Sequence, residues 1–199
     1  MTGAPKRLLG SLVTAVALAA LSAVALPVSR ADASLINLDA CNLSPLSQPF
    51  TPWLDPAWYE LAPDGDFESS GWQLTGGARR VAGSDSFAAT GTSGAWSLSL
   101  PAGATAQSAA TCVDAAYPTI RFFTSGIGLV AVSVDYGGLN LPAGVAVAAG
   151  GWQPSLLSLT DSALVAATSD GSAQVSLRFT TLLGNVRVDD VFVDPWNRG

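Results

Sequence analysis

From about residue 57 onward, apolar residues alternate with polar or small ones in short runs, each cut off by Gly, Pro, Ser or Asp. One side chain in two on the same face is the period of a β-strand, and runs broken this often are the pattern of an all-β sandwich. Trp96, Leu98 and Leu100 alternate with Ala95, Ser97 and Ser99, and Val130, Val132, Val134 and Tyr136 with Ala131, Ser133 and Asp135. Ile120 and Phe122 sit opposite Arg121 and Phe123, and Val175, Leu177 and Phe179 opposite Ser176, Arg178 and Thr180. The apolar member of each set, Trp96 included, is expected in the core. Residues 140–149 read as a further strand, Gly150-Gly151-Trp152-Gln153-Pro154 as a turn, and Leu156, Leu157 and Leu159 as the strand after it. Residues 161–168 alone have helical composition, with Asp161 placed to cap Ala163-Leu-Val-Ala-Ala167.

Two segments precede these strands. Lys6 and Arg7 stand before an apolar run from Leu8 to Leu26, and Pro27 and Arg30 lead to the small-x-small site Ala31-Asp32-Ala33, so residues 1–33 read as a secretion signal. The alternative is an uncleaved anchor, since the run is long enough to span a bilayer. Cleavage leaves a secreted chain with no membrane span and no cysteine at the cut for a lipid. Residues 34–56 carry Pro45, Pro49, Pro52 and Pro56, which forbid a regular helix and predict an extended N-terminal arm, docked by Phe50, Trp53 and Trp58. Residues 57–196 form the domain.

Without residues 1–33, six Arg face fourteen Asp and Glu, a net charge of −8 with no Lys and no His. Such a surface repels phosphate backbones, which argues against nucleic acid and anionic membranes as partners. Arg79-Arg80, the one basic pair, reads as a solvated strand end. The missing histidine removes the commonest general base, the Ser-His-Asp and Cys-His arrangements and nearly every imidazole metal site. Lysine nucleophiles are absent too. No pair of carboxylates is singled out for glycoside hydrolysis, so the chain reads as non-catalytic. Gly126-Ile-Gly128 matches a dinucleotide-binding pattern by letter but precedes a β-type run, and reads as a Gly-rich hairpin.

Cys41 and Cys112 are the two cysteines. In an exported chain they read as one disulfide closing a loop of about 70 residues, worth about 3–4 kcal/mol in the chain-entropy account, the alternative being two separate buried thiols. High Ala and Gly content with Arg in place of Lys is the composition of a high-GC bacterial source.

Asp64-Gly-Asp-Phe-Glu-Ser-Ser-Gly-Trp72 and Val186-Arg-Val-Asp-Asp-Val-Phe-Val193 bracket most of this domain. The first resembles the "NGDFE…GW" opening, and the second the "IDDV" closing strand, of carbohydrate-binding modules and their galactose-binding-like relatives. That resemblance implies a jelly-roll β-sandwich of two antiparallel sheets, whose first and last strands pair and bring Asp66-Phe67-Glu68 beside Val188-Asp189-Asp190. Modules of this kind often carry a structural Ca2+ there, which makes Glu68 and Asp190, then Asp189 and Asp66, the candidate ligands. Adjacent strand residues point to opposite faces, so Asp189 and Asp190 cannot both reach one ion without a bulge. The metal-free alternative pairs these carboxylates with Arg187, Arg121 or turn amides.

A sugar asks for an exposed aromatic platform beside planar hydrogen-bonding groups. Trp72, like Trp96, reads as core. Trp152 after its Gly pair, Tyr136 before Gly137-Gly138, Tyr117 before Pro118, and Arg121 and Arg178 on the non-core strand faces are the candidate ligand-binding residues. The expected function is that of an exported, non-catalytic module for carbohydrate, a cell-surface glycan among the candidates. Such modules are usually attached to an enzyme and this one is read as standing alone, so an extracellular or cell-surface protein-interaction domain without glycan binding is the second expectation.

Overall fold

The computed structural model describes residues 45–114, 119–156, 158–159 and 172–194, all within the unit Ser34–Gly199. The helical stretch expected at 161–168, Tyr117, Cys41 and residues 1–44 lie outside the described residues. The chain forms β1 (Glu60–Leu61), β2 (Gln73–Thr75), β3 (Arg79–Ala82), β4 (Trp96–Pro101), β5 (Thr105–Asp114), β6 (Thr119–Tyr136), β7 (Leu139–Pro154), β8 (Ser158–Leu159) and β9 (Ser172–Asp194). Every pairing among them is antiparallel.

The two longest strands organise the rest. β6 and β9 run side by side from Thr119↔Asp194 to Asp135↔Ser176. On its other edge β9 is met in turn by β5, then β4, then β1. The far edge of β6 carries β7 and β8. Val132 lies opposite Phe179, and Phe122 is ten residues before Val132, about 33 Å along an extended strand. The rings of Phe122 and Phe179 nevertheless meet edge to face with centroids 4.8 Å apart. The β6–β9 ribbon is therefore folded over on itself. One layer holds β2, β5, the first half of β9 and the second half of β6; the other holds β3, β4, the second half of β9 and the first half of β6. The expected antiparallel sandwich of jelly-roll type is present, and its two sheets are halves of one continuous sheet.

Bulges and glycines make the crease. The register between β6 and β9 slips between Leu129↔Leu183 and Val130↔Thr181, leaving Leu182 over. Gly184 has φ +73°, and a Cβ there would collide with the carbonyl oxygen of Ile127. Gly126-Ile-Gly128 and Gly150-Gly151, expected in turns, lie inside β6 and β7. Glycine in a strand marks a bulge or a close backbone approach as readily as a turn, and these glycines mark the fold line.

The alternating sets face the interior as expected. Leu98, Leu100, Ile120, Phe122, Val130, Val132, Val134, Val175, Leu177 and Phe179 are buried between the layers, with Tyr136 packed against them. Trp96 is the exception: it stands at the entry of β4 and is 39% exposed. A second, smaller core covers the outer face of the β3–β4 layer, where Phe50 and Tyr59 pack on Phe123 and Phe192. The segment that brings Phe50 there bridges Ser47 to Tyr59 and makes one 3-10 turn at Thr51–Trp53, with Pro52 at its start. Trp53 joins the cluster, whereas Trp58 remains largely exposed.

Phe179→Ala removes the ring that ties the layers together and should cost about 3–5 kcal/mol in chemical denaturation, while Leu54→Ala, at a site 95% exposed, should change stability by less than about 0.5 kcal/mol.

Candidate functional site

The two ends of the domain meet through backbone. β1 pairs with β9 at Glu60↔Val193 and Leu61↔Phe192. Beyond it, Ala62 N donates to Val191 O and Val191 N donates to Gly65 O, both at 2.9 Å. A Cβ on Gly65 would sit 2.5 Å from Val191 O, so only glycine permits this approach. Asp64 then laces the following loop. Its Oδ1 accepts from Ser69 N at 2.8 Å and Ser69 Oγ at 2.6 Å, and its Oδ2 from Gly71 N at 2.7 Å. The opening motif is thus a cross-braced loop.

Its carboxylates divide. Glu68 is exposed, and its Oε1 caps two amides, Ala95 N at 2.7 Å and Trp96 N at 3.0 Å. Asp66 Oδ1 accepts from Glu68 N at 3.2 Å. Asp189 and Asp190 are both buried, and the positive φ of 45° at Asp190 marks the irregularity that two acids on one strand require. Asp189 accepts from Asp85 N at 2.8 Å and from Asp190 N at 3.0 Å.

Asp85, in a loop without a motif, completes the cluster. It is buried, its Oδ1 accepts from Phe87 N at 2.5 Å, and its Oδ2 meets no N–H donor. The group beside it is the Asp190 carboxyl, and two carboxyls can bond only with a proton between them. Burial, then the charges of Asp189 and Asp85, pushes Asp190 up to about 9. Burial likewise pushes Asp189 up to about 7, against the opposing hydrogen bonds from Ser84 and two amides. Among the described residues no three acids converge as a coordination shell. The geometry as it stands is that of neighbouring buried carboxyls.

The sugar candidates are scattered. Arg121 is buried: its guanidinium lies 4.2 Å over the Phe50 ring, bonds Asp55 Oδ2 at 2.5 Å and donates twice to Ser155 O. It clamps the N-terminal segment. Trp152 lies within β7, half-buried, with the Arg187 guanidinium 5.3 Å over its ring. Tyr136 packs against the main core. Arg178 does face outward, its Nε and one terminal nitrogen donating to Gln107 Oε1 at 3.3 and 2.9 Å. It belongs to a cross-strand row of Gln73, Gln107, Arg178 and Ser133.

A better-formed site lies where edge strands β2 and β3 border the interior. Arg80 pairs with Leu98 and so shares its inward face. Its guanidinium stacks 4.8 Å over the exposed Trp96 ring and donates to Glu68 O at 2.9 Å, while its Nε is buried with no acceptor. Beside it is a cavity of about 40 Å³, walled by Phe67, Trp72, Leu74 and Leu98 with Asp64, Ser69 and Ser70. The basic pair is therefore split, Arg79 in solvent and Arg80 half-buried. Period-2 alternation was the signal that could have separated them.

No protein-family model and no curated protein matches the chain. In fold it resembles carbohydrate-binding modules. A family 61 module solved with β-1,4-galactotriose is 16% identical, with a TM-score of 0.41, covering 67% of this chain and 96% of that one. A family 6 module of Cellvibrio mixtus lichenase 5A solved with cellotriose is 14% identical, with a TM-score of 0.40 over 67% and 95% of the two chains. The enzymatically active domain of bacteriophage CBA120 tailspike protein 4 is 17% identical at a TM-score of 0.41, and this chain spans only 21% of it. Likenesses of this size leave the functional reading to the site itself.

Asp189 and Asp190 hold protons more tightly folded than unfolded, so their contribution to stability is complete below their ordinary value of 3.8 and is lost as pH rises through about 7 and about 9. In EDTA the melting temperature should therefore fall between about pH 5 and pH 9, and Asp190→Asn, which donates to Asp85 at any pH, should flatten the upper part of that decline.

Proposed function

We propose that the chain is an exported, non-catalytic carbohydrate-binding module whose sugar site is the edge between β2 and β3. The observation that carries this reading is Trp96, an exposed indole held in place by Arg80 beside a small cavity. A pyranose offers C–H faces to an indole and hydroxyls to planar polar groups. Arg80 supplies the planar group, and Ser69 and Ser70 add hydroxyls from a loop already braced by Asp64. Asp64 is the one carboxylate of the cavity wall, and three donors engage it, which suits binding rather than acid–base chemistry. The outward row around Arg178 gives a second polar surface for a longer glycan.

Export rests on residues 1–33, and the pairing of Cys41 with Cys112 belongs to the same proposal. Among the described residues no helix is long and apolar enough to cross a membrane. Calcium at the closing edge is proposed from the resemblance alone, with Glu68, Asp190, Asp189 and Asp66 as its candidate ligands; two adjacent buried carboxyls, Asp189 and Asp190, are what a hard cation would neutralise there.

An interaction with a protein is favoured by a different surface. Ile127, Leu183, Val145 and Val147 lie exposed along the crease, Ile127 at 77%, and β7 carries no charged residue. A partner docked there would be displaced by Val147→Asp with glycan binding intact.

Titrating the mature chain with a panel of soluble glycans should give a binder whose affinity drops at least about tenfold in Trp96→Ala and is unchanged in Trp152→Ala. Loss with Trp152→Ala alone would move the site to the other edge. Calcium added after EDTA should raise the melting temperature by mass action, and that rise should vanish in Asp190→Ala.

A further inference from the structure

We infer that the uncharged strip along the crease is the interface of a two-fold dimer, its partner a second copy of this chain. This rests on the protein-interaction reading of that strip and names its partner. Val147, Leu129 and Leu183 form one cross-strand row over β7, β6 and β9. Ile127 and Val145 each lie two residues along from that row, on the same face. Four of these five side chains are more than half exposed, and together they approach the size, about 300–600 Å², of the largest apolar patch on an ordinary monomer. No charged residue falls within 126–134, 139–154 or 179–186, on a chain that carries −8 without residues 1–33.

The partner meets the face of this strip and not the edge of β7. Gln153 Nε2 donates to Val147 O at 3.1 Å, and Pro142 and Pro154 remove two amides from the strand, which closes that edge to an added strand. The chain's own outlying pieces fall short of the strip. Residues 115–118, 160–171 and 195–199 leave from Asp114, Thr119, Leu159, Ser172 and Asp194, which pair at the open end of the folded ribbon. From Thr119 to Ile127 is about 26 Å along the strand, whereas a dozen residues held at both ends reach out about 20 Å and five reach about 17 Å. Charge selects among proteins. A basic partner is drawn to the carboxylates elsewhere on the surface, whereas an isologous contact sets one patch against itself and needs a patch without net charge. Thr180 and Asn185, which border the strip, each donate and accept, so either can answer its own copy. Two such strips bury on the order of 1,000 Å², the low end for a specific complex, so the dimer is a weak one. It carries two copies of the β2–β3 edge and so holds a repeating polymer at two points.

Sedimentation velocity of the mature chain from about 1 µM to about 1 mM tests this, since so small an interface assembles within that range. The weight-average mass is expected to rise from that of a monomer towards twice that value. Val147→Asp and Ile127→Asp, both at exposed sites, set like charges against each other across the two-fold and should keep the chain monomeric throughout. Leu54→Asp, at an exposed site on the N-terminal segment, should associate as the wild type does. Trp96→Ala should associate unchanged too, so loss of the dimer and loss of glycan binding are separate results. A dimer that persists in both strip variants, or a wild type that stays monomeric at the highest concentration, overturns the second copy and leaves the strip open to another protein. Two further results with a monomeric wild type overturn the protein-interaction reading as well. A melting temperature lowered more by Val147→Asp than by Leu54→Asp would place residues 34–44 on the strip, and binding to phosphatidylcholine vesicles that Val147→Asp abolishes would place a lipid surface there.

Discussion

Phe122 and Phe179 meet across the interior although the strands that carry them place them some ten residues apart along one ribbon. That contact is possible only because β6 and β9 fold over together, and the other pairings follow from it. β4 and β5 take successive stretches of the same β9 edge, so the turn between them falls at the crease. β2 and β3, joined by a tight turn at Ala78 N to Thr75 O, end up as edge strands of opposite layers. The gap they border is where Arg80 and Trp96 stand. A site between layers is thus a consequence of creasing one sheet.

Charge is handled differently on the two sides of this frame. Arg121 is taken into the second core under Phe50 and is balanced there by Asp55 and the Ser155 carbonyl. A buried ion pair of this kind contributes specificity of docking more than stability, since desolvation offsets much of its attraction. At the closing edge, Asp85, Asp189 and Asp190 are buried, and no ion pair among the described residues reaches them. Protons or an external ion must supply the balance.

The core was legible because alternation is a local property: Val130, Val132 and Val134, or Val175, Leu177 and Phe179, could be assigned a face from their spacing alone, and all are buried. What alternation does not encode is how far a strand continues. Gly126, Gly128 and Gly150 read as turns because glycine serves turns and close strand crossings alike, and only the register tells them apart. Arg121 was placed correctly on the non-core face, but that face is covered by residues 47–59, which no pattern within β6 could reveal. Trp96 fell to the same limit: its face is inward, its position at the strand entry leaves it exposed. Asp85 sits in a loop with no motif, and its role exists only through Asp189, 104 residues away.

The six tryptophans offer a direct test of where the chain meets its ligand, because each indole N–H gives its own resonance in a nitrogen-proton NMR spectrum. Titration with a bound glycan should shift the Trp96 indole signal most, with Trp72 responding through the cavity wall and Trp152 unmoved. A spectrum in which Trp152 or Trp58 shifts while Trp96 stays fixed would contradict the account.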